Sequence, residues 1–340
     1  VAGWDGPPAQ LYARGAIREA GQIWQRKHDP TTEEPIDTDA AVDWAGDLAD
    51  IDWGRQVRRP GWQGWTADNL GVPTAGMADG LLTVAVGPEG LYAPLADAFN
   101  SATTSIDLSI YTLEHPELTD GLVAAQARGV QVRVLLEGGP PGGISDLQKW
   151  CVSRLAAAGA DVRYMATLDD APNGLRTRYS YVHTKYGVID ERLALVGTDN
   201  MNWDSMPVAD GDQGDAAGGR RGYYLLTDAA PVTQALGQLF TIDWAPSHFM
   251  DLYPFSADHD KYGGPPDDFV LPERPIYAGS EARFAESVTA TGSMRFIVVS
   301  APENATRADK GLIALIDRAG AGDEIWVEQL YEHKFWGDSA

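Results

Sequence analysis

The stretch HTKYGVIDERLALVGTDN, residues 183–200, decides the fold of this chain. The segment YVHTKYGVI alternates in character, so we expect His183 and Lys185 on one face of a β-strand. The following LALVG is an apolar run typical of a buried strand, and Gly197 is expected to turn the chain sharply after it. We therefore predict two neighbouring strands whose polar residues meet at one edge of a sheet, where α/β sheets usually bind ligands.

The polar residues of this stretch suit a phosphodiester. Lys185 offers three donors and a compact positive charge, and Thr198 and Asn200 add neutral donors for phosphate oxygens that gain charge during attack. His183 can act as a nucleophile or an acid near neutral pH, because the ordinary pKa of imidazole is about 6.5. Asp190 accepts hydrogen bonds when ionised, which suits it to orient a donor and stabilise positive charge near the site.

Together these residues follow the spacing His-x-Lys-x4-Asp-x6-Gly-Ser/Thr-x-Asn, matched here by His183, Lys185, Asp190, Gly197, Thr198 and Asn200. This pattern resembles the signature of the phospholipase D superfamily. The resemblance implies two facing motif histidines: one forms a phosphohistidine, and the other protonates the leaving alcohol and then activates water or a second alcohol. It implies no metal and no other cofactor. It also implies that His183, Lys185, Asp190 and Asn200 are catalytic, and that Lys185, Thr198 and Asn200 bind the phosphate.

The chain contains one such motif, so three functions are open. The leading prediction is a phosphodiesterase of phospholipase D type, with a phospholipid as its substrate. A nuclease of the same superfamily is the second, and a noncatalytic module that binds phosphate or polyanions is the third. For an isolated His-x-Lys pair, ordinary strand residues would be the simpler interpretation, with an ion pair to Asp190.

From residue 81 onward, strand-like and helix-like patterns alternate. Strands are predicted at 81–86, 105–113, 130–139 and 161–165, and helices at 90–102, 116–129, 145–159 and 232–244. Such alternation predicts an α/β fold in which a mixed β-sheet is flanked by helices on both faces. Later in the chain, strands at 294–302 and 323–333 enclose a helix at 308–320.

Four segments follow from these patterns. Residues 1–77 are an irregular acidic segment, in which DTDAAVDW and GRQVRRPGW resemble the region that follows an accessory β domain in some bacterial relatives. Residues 78–250 form a phospholipase D-like lobe that contains the motif. The turn-rich residues 251–290 are a crossover linker, and residues 291–340 are the first part of a second, similar lobe.

An internal repeat supports the second lobe. LADAFNSATTSIDLSIYTLEH, residues 95–115, resembles GLIALIDRAGAGDEIWVEQLYEH, residues 311–333, so Ile106 corresponds to Ile325. Ile106 precedes His183 by 77 residues, and the same spacing would place a second motif near position 402. We expect a fragment whose C-terminal half is either lost or cleaved and present as a separate polypeptide. Two copies that pair, or an inactive half, are the alternatives.

Three further residues are candidates for substrate contact or support of the site. Glu114, His115 and Gln329 lie on or after corresponding strands of the repeat, although surface or loop-end positions are the simpler and favoured interpretation. No metal site is predicted, because neither the acidic cluster Asp37–Asp52 nor the set Asp243, His248 and Asp251 has a regular ligand spacing.

Composition limits the partners and the compartment. The 340 residues carry a net charge of −23, which repels nucleic-acid backbones and makes nonspecific binding to them less favourable. The single cysteine, Cys151, permits no intrachain disulfide and is expected to be buried. No apolar run approaches 18 residues, so no transmembrane helix is predicted. The acidity fits a secreted or extracytoplasmic protein, with the cytoplasm as the alternative.

Overall fold

The computed structural model describes residues 37–38, 73–165, 181–208, 219–244, 252–274, 284–300 and 311–327. The strands in these segments are β1 (Ala75–Val86), β2 (Ser105–Ile110), β3 (Leu113–Glu114), β4 (Gln131–Glu137), β5 (Asp161–Met165), β6 (Lys185–Ile189), β7 (Leu193–Gly197), β8 (Met201–Asn202), β9 (Tyr223–Thr227), β10 (Leu252–Pro254) and β11 (Val288–Ile297). The helices are α1 (Tyr92–Ser101), α2 (Pro116–Ala127), α3 (Asp146–Ala157), α4 (Ala230–Trp244) and α5 (Gly311–Ile316).

Nine of these strands form one mixed sheet in the order β10-β5-β4-β2-β6-β7-β9-β1-β11. Strands β2, β4 and β5 run parallel to one another, whereas β6, β7, β9, β1 and β11 pair antiparallel in succession. Strands β3 and β8 form a separate parallel pair. The predicted mixed α/β fold is thus confirmed.

Helices cover both faces of the sheet, as predicted. Val134 and Leu136 of β4 point into a core shared with α1, α2 and α3, whereas Leu135 packs into a second core formed with α4. The alternation of neighbouring side chains between two cores follows from the two-residue repeat of a strand. Burying each large apolar side chain contributes about 1.5–3 kcal/mol relative to leaving it exposed.

Local signals set the ends of the helices. Ser145 caps α3, because its hydroxyl accepts a hydrogen bond from the Gln148 N–H at 3.1 Å. After α2, Gly129 adopts a φ of +90°, a left-handed conformation that glycine enters without a Cβ penalty. The predicted end of this helix at Gly129 is confirmed.

The structure differs from the predicted elements at three places. Strand β6 begins at Lys185, so His183 lies just before the strand rather than within it. Residues 323–327, predicted as a strand, form none in the described part of the chain, where no neighbouring strand pairs with them. Strand β11 begins at Val288, earlier than predicted, and pairs over ten residues with β1 at the edge of the same sheet.

Regular structure is sparse between residues 252 and 274, as the turn-rich sequence predicts. The exception is β10, which adds three residues to the free edge of β5. None of the helices in the described segments is long and apolar enough to span a bilayer.

Candidate active site

Most of the motif residues lie at one end of strands β6 and β7 in the large sheet. Ile110, the last residue of β2, pairs with Lys185, the first residue of β6. Tyr186 pairs with Val196, so the end of β7 lies beside the start of β6. The residues immediately before β6 and immediately after β7 are therefore neighbours. The strand register thus brings polar residues to the same end of the two strands, as the sequence predicts.

Lys185 is a buried cation at this edge, with only 7% of its surface exposed. Its Nζ donates a hydrogen bond to the His183 carbonyl oxygen at 3.1 Å and lies 5.2 Å from the centre of the Tyr111 ring. Burial lowers the pKa of Lys185 to about 8, although the negative charge of Asp199 acts in the opposite direction. A phosphate anion bound here would offset the cost of burying the ammonium group.

His183 presents its imidazole to solvent beside Lys185. Its ring meets the ring of Tyr111 edge-on, with the centroids 4.7 Å apart and an angle of 69° between the planes. Partial burial of the ring, and next the charge of Lys185, lower the pKa of His183 below its ordinary value of 6.5. The imidazole is therefore mostly neutral at pH 7 and has the lone pair that a nucleophile needs.

A buried carboxylate fixes the backbone that leads to His183. Glu137, at the end of β4, is 2% exposed and accepts hydrogen bonds from the Val182 N–H at 2.5 Å and the Gly139 N–H at 2.8 Å. Burial raises the pKa of Glu137, while these donors lower it. Glu137 was not among the predicted site residues, although an acidic residue that ends the apolar strand VRVLLE was a usable signal.

The turn after β7 holds Asn200 and a buried carboxylate, Asp199. The Oδ1 atom of Asn200 is buried and accepts no hydrogen bond from the described residues, so it is open to a donor; a phosphate oxygen would instead need the amide NH2 group of this side chain. Asp199, which was not among the predicted site residues, is 8% exposed. Burial raises the pKa of Asp199, whereas hydrogen bonds from Thr198 and Ser205 and the charge of Lys185 lower it.

Thr198 has a different role from the predicted one. Its hydroxyl donates to Asp199 Oδ2 at 2.8 Å and accepts from the Tyr223 N–H at 3.0 Å. The hydroxyl proton is thus already used in a hydrogen bond within the protein and is not available to a phosphate. Thr198 instead orients Asp199, which in turn faces the charge of Lys185.

Two glycines make room for this arrangement. A Cβ on Gly222 would lie 1.3 Å from Asp199 Oδ2, so only glycine fits opposite that carboxylate. A Cβ on Gly197 would lie 2.3 Å from the Tyr224 ring. Gly197 does not have a positive φ, so the expected sharp turn is not the reason for this glycine. The reason is the close approach of the Tyr224 ring.

Asp190 is not brought together with the other motif residues. It follows the far end of β6, about 16 Å from Lys185 at 3.3 Å per residue. Its carboxylate accepts hydrogen bonds of 2.7–2.9 Å from the N–H groups of residues 103–105 and from the hydroxyls of Thr103 and Thr104. These bonds hold the pKa of Asp190 well below its ordinary value, although burial acts in the opposite direction. Its position corrects the predicted catalytic role: Asp190 anchors the loop between α1 and β2.

The other candidates support the segment that follows Asn200. Glu114 pairs with Asn202 in the β3–β8 ladder and accepts a hydrogen bond from the Ser145 hydroxyl at 2.5 Å. His115 is fully buried; its Nδ1 accepts from the Leu118 N–H at 3.3 Å, so its Nε2 donates to the Met206 carbonyl oxygen at 2.7 Å. Gln329 lies outside the described residues.

Neither a metal site nor a reactive thiol is found among the residues that the structure describes. Within the described segments, no group of three or more His, Cys, Asp and Glu residues is placed to hold a metal ion. His248 and Asp251 lie outside those segments, as does the acidic cluster apart from Asp37. Cys151 is buried as expected, and burial raises the pKa of its thiol to about 12, which makes it inert. An apolar groove of about 340 Å³ between α4 and β11 contains none of the motif's polar residues.

Comparison with known proteins points to one superfamily. The family described as "Cardiolipin synthase, PLD-like domain" matches residues 95–213. Cardiolipin synthase B of Salmonella typhimurium is 36% identical over 123 residues, which cover 34% of this chain and 28% of the relative. Cardiolipin synthase B of Escherichia coli K12 is 39% identical over 94 residues, 26% of this chain and 21% of the relative. The chain thus spans about a quarter of the length of these relatives.

Solved structures show weaker similarity. The phospholipase D family member Nuc from Salmonella typhimurium aligns with 18% identity and a TM-score of 0.39, over 51% of this chain and 96% of that chain. NucT from Helicobacter pylori aligns with 15% identity and a TM-score of 0.36, over 47% of this chain and 94% of that chain. The family match contains the whole stretch from His183 to Asn200, and residues 95–213 therefore form a domain of the phospholipase D superfamily.

Proposed function

We propose that this protein is a phosphodiesterase of phospholipase D type that cleaves a phospholipid through a phosphohistidine. The observation that carries the proposal is the pairing of His183 and Lys185 at the sheet edge. A largely neutral imidazole lies beside a buried ammonium group that donates to the backbone of the same histidine. Asn200, just after the end of the neighbouring strand, adds a carboxamide whose NH2 group can donate to a phosphate oxygen.

In the proposed reaction, the His183 imidazole attacks phosphorus, a phosphorus–nitrogen bond forms, and the bond to the leaving alcohol breaks. A histidine from a second motif donates a proton to that alcohol. The same histidine then removes a proton from water or a second alcohol, which displaces His183 from phosphorus. Lys185 and Asn200 stabilise the charge on the phosphate oxygens throughout. The two histidines are symmetric in this scheme, so His183 fits either role.

The substrate class is supported by the relatives. Two of them carry the name cardiolipin synthase B, and cardiolipin is a phospholipid. The net charge of −23 also disfavours the nuclease alternative, because a nucleic acid would be repelled by most of the surface. A noncatalytic phosphate-binding module would use the same Lys185 and Asn200, and only an activity measurement separates it from the enzyme.

We further propose that residues outside these 340 supply the second motif, either from a C-terminal half or from a second copy of the chain. The internal repeat supports this idea. Ile106 and Leu108 of β2 are fully buried between β4 and β6. Their equivalents Ile325 and Val327 are 53% and 70% exposed, and Trp326 between them is 88% exposed. These side chains have the pattern of a central strand but no flanking strands among the described residues.

The decisive test is hydrolysis of bis(p-nitrophenyl) phosphate and of phosphatidylglycerol vesicles by the native assembly. His183→Asn should lower the rate by about 10²–10⁴-fold, because it removes the nucleophile or its acid–base partner. His259→Asn is the matched control, since His259 is exposed in the loop after β10 and should not affect the rate. Equal rates for the wild type and His183→Asn would end the proposal.

Two further measurements address the partner and the compartment. Light scattering coupled to size-exclusion chromatography measures the molar mass of the active species. This mass should be twice the chain mass if two copies pair, or the chain mass plus that of an additional polypeptide if the second motif is separate. A chain mass of 36.6 kDa for a fully active species would exclude both.

We also propose a secreted or extracytoplasmic location, supported by the acidic composition. Cell fractionation tests it, and recovery in the cytoplasm would refute it.

A further inference from the structure

Tyr111 lies at the centre of the candidate site although it is not part of the motif. It follows Ile110, the last residue of β2, which pairs with the first residue of β6. Antiparallel pairing continued by one residue brings Tyr111 opposite Thr184, between His183 and Lys185 in sequence. The side chain is half-buried, so it is held by the protein and still reaches the site.

The Tyr111 ring contacts two residues of the motif, His183 and Lys185. One contact is the edge-on packing against the His183 imidazole, with the centroids 4.7 Å apart. The other is with the Lys185 ammonium group, 5.2 Å from the ring centre. His183 precedes β6, so its backbone lies outside the strand ladder that fixes Lys185. The Tyr111 ring therefore provides a restraint on the imidazole that the strand itself does not.

We propose that Tyr111 is a positioning residue that orients the His183 imidazole for attack and holds the Lys185 ammonium beside it. This inference rests on the proposed phosphodiesterase function and adds a residue to it. Aromatic rings prefer edge-to-face contacts at this separation, and the negative face of a ring attracts a cation. Both effects belong to the ring, so the aromatic ring of Tyr111, rather than its hydroxyl, carries the role.

The test compares Tyr111→Phe, which keeps the ring, with Tyr111→Leu, which removes it. Tyr181→Leu is the matched control, because Tyr181 is exposed two residues before His183. With bis(p-nitrophenyl) phosphate, Tyr111→Leu should lower kcat by about tenfold while KM changes by less than about threefold, as expected for lost orientation of a reacting group. Tyr111→Phe and Tyr181→Leu should both stay within about twofold of the wild type.

A second readout does not depend on activity. The ring current of Tyr111 should shift the His183 Hε1 resonance, which is assigned by its absence from the spectrum of His183→Asn. The shift should persist in Tyr111→Phe and disappear in Tyr111→Leu. Circular dichroism and thermal unfolding of each variant show whether it is folded.

Several outcomes would overturn the inference. A wild-type kcat for folded Tyr111→Leu, or an equal loss in Tyr111→Phe or Tyr181→Leu, would exclude positioning by the ring. An unchanged His183 resonance in Tyr111→Leu would exclude the contact itself while leaving the proposed function standing. An inactive wild-type assembly would end the proposed function and, with it, the positioning role, even if the resonance still reported the contact.

Discussion

Replacing Asp190 by asparagine separates a structural role of this motif residue from a catalytic one. The carboxylate accepts five hydrogen bonds of 2.7–2.9 Å from residues 103–105, and Asp190 adopts a φ of 53°. Asparagine tolerates this left-handed conformation, so the backbone adds little strain. We expect Asp190→Asn to lower stability and to leave kcat within about threefold of the wild type under conditions where the variant is folded.

The size of the effect follows from the contacts. Oδ1 accepts from Thr104 and Ser105, and an amide oxygen can take its place. Oδ2 accepts from the Thr103 N–H at 2.9 Å, which an amide NH2 group cannot do, and only the longer bond of 3.2 Å from this N–H to Oδ1 would remain. Losing one acceptor and the charge assistance of the others should cost about 2 kcal/mol, because the site is partly open to water. For a domain of this size, that corresponds to a decrease in Tm of about 4–8 °C.

Thermal unfolding and steady-state kinetics on the same preparations test this expectation. Glu191→Gln is the matched control: it removes a carboxylate at the next position, where the side chain is exposed and φ is 54°. We expect no more than about 0.5 kcal/mol from that change. A loss of kcat by about a hundredfold in Asp190→Asn with an unchanged Tm would refute the structural role and restore the predicted catalytic one.

The pH dependence gives an independent check on Asp190. Its pKa is lowered in the folded protein, so the carboxylate's contribution is fully present above the unfolded value near 3.8. The contribution is lost as the pH falls through the lower folded pKa. The stability difference between the wild type and Asp190→Asn should therefore be largest near neutral pH and shrink on acidification below pH 3.8. A difference that stays constant down to pH 2 would contradict the carboxylate as its source.

Two further predictions concern the turn after β7 and the buried lysine. Gly222→Ala should cost about 1–3 kcal/mol by collision with Asp199, and much less in an Asp199→Ala background. Gly237→Ala is the control, because a Cβ there would lie in open space on α4, and it should be neutral or stabilising. Denaturant unfolding of the two single variants, their double mutant and this control measures the free energies. An equal cost of Gly222→Ala in the wild-type and Asp199→Ala backgrounds would contradict the collision. The kcat/KM should fall as the pH rises past about 8, because Lys185 then loses the proton that binds phosphate. Lys185→Arg should move this limb to higher pH at lower absolute activity, and an unmoved limb in a pH–rate profile would assign it to another group.

Much of the fold was accessible from the sequence because its signals are local. The helix patterns around Leu118 and Cys151 and the glycine at 129 predicted α2 and α3 closely. The predicted strand at 323–333 shows the limit of such reasoning. A strand depends on neighbours that accept its hydrogen bonds, and residues 323–327 have none among the described segments, although their apolar pattern resembles that of β2. The local sequence pattern therefore predicted the helices better than it predicted which outer segments join the sheet as strands.

The candidate site shows the same division between spacing and contact. Spacing in the sequence was enough to predict that His183, Lys185 and Asn200 lie at the same end of two neighbouring strands. The two-residue repeat of a strand and the short turn between the strands determine that end. The roles of the remaining residues depended on contacts across the sheet. Asp190 lies at the opposite edge, and the hydroxyl of Thr198 is engaged with Asp199.

The amino-acid order by itself determined which strands neighbour one another at the motif and which chemistry gathers there. Only the tertiary structure decided that Tyr111, Glu137 and Asp199 surround the pair of His183 and Lys185, since these residues are up to 88 positions apart in the chain. The physical reason is that strand periodicity acts over a few residues, whereas burial and charge act between whichever side chains the sheet brings together.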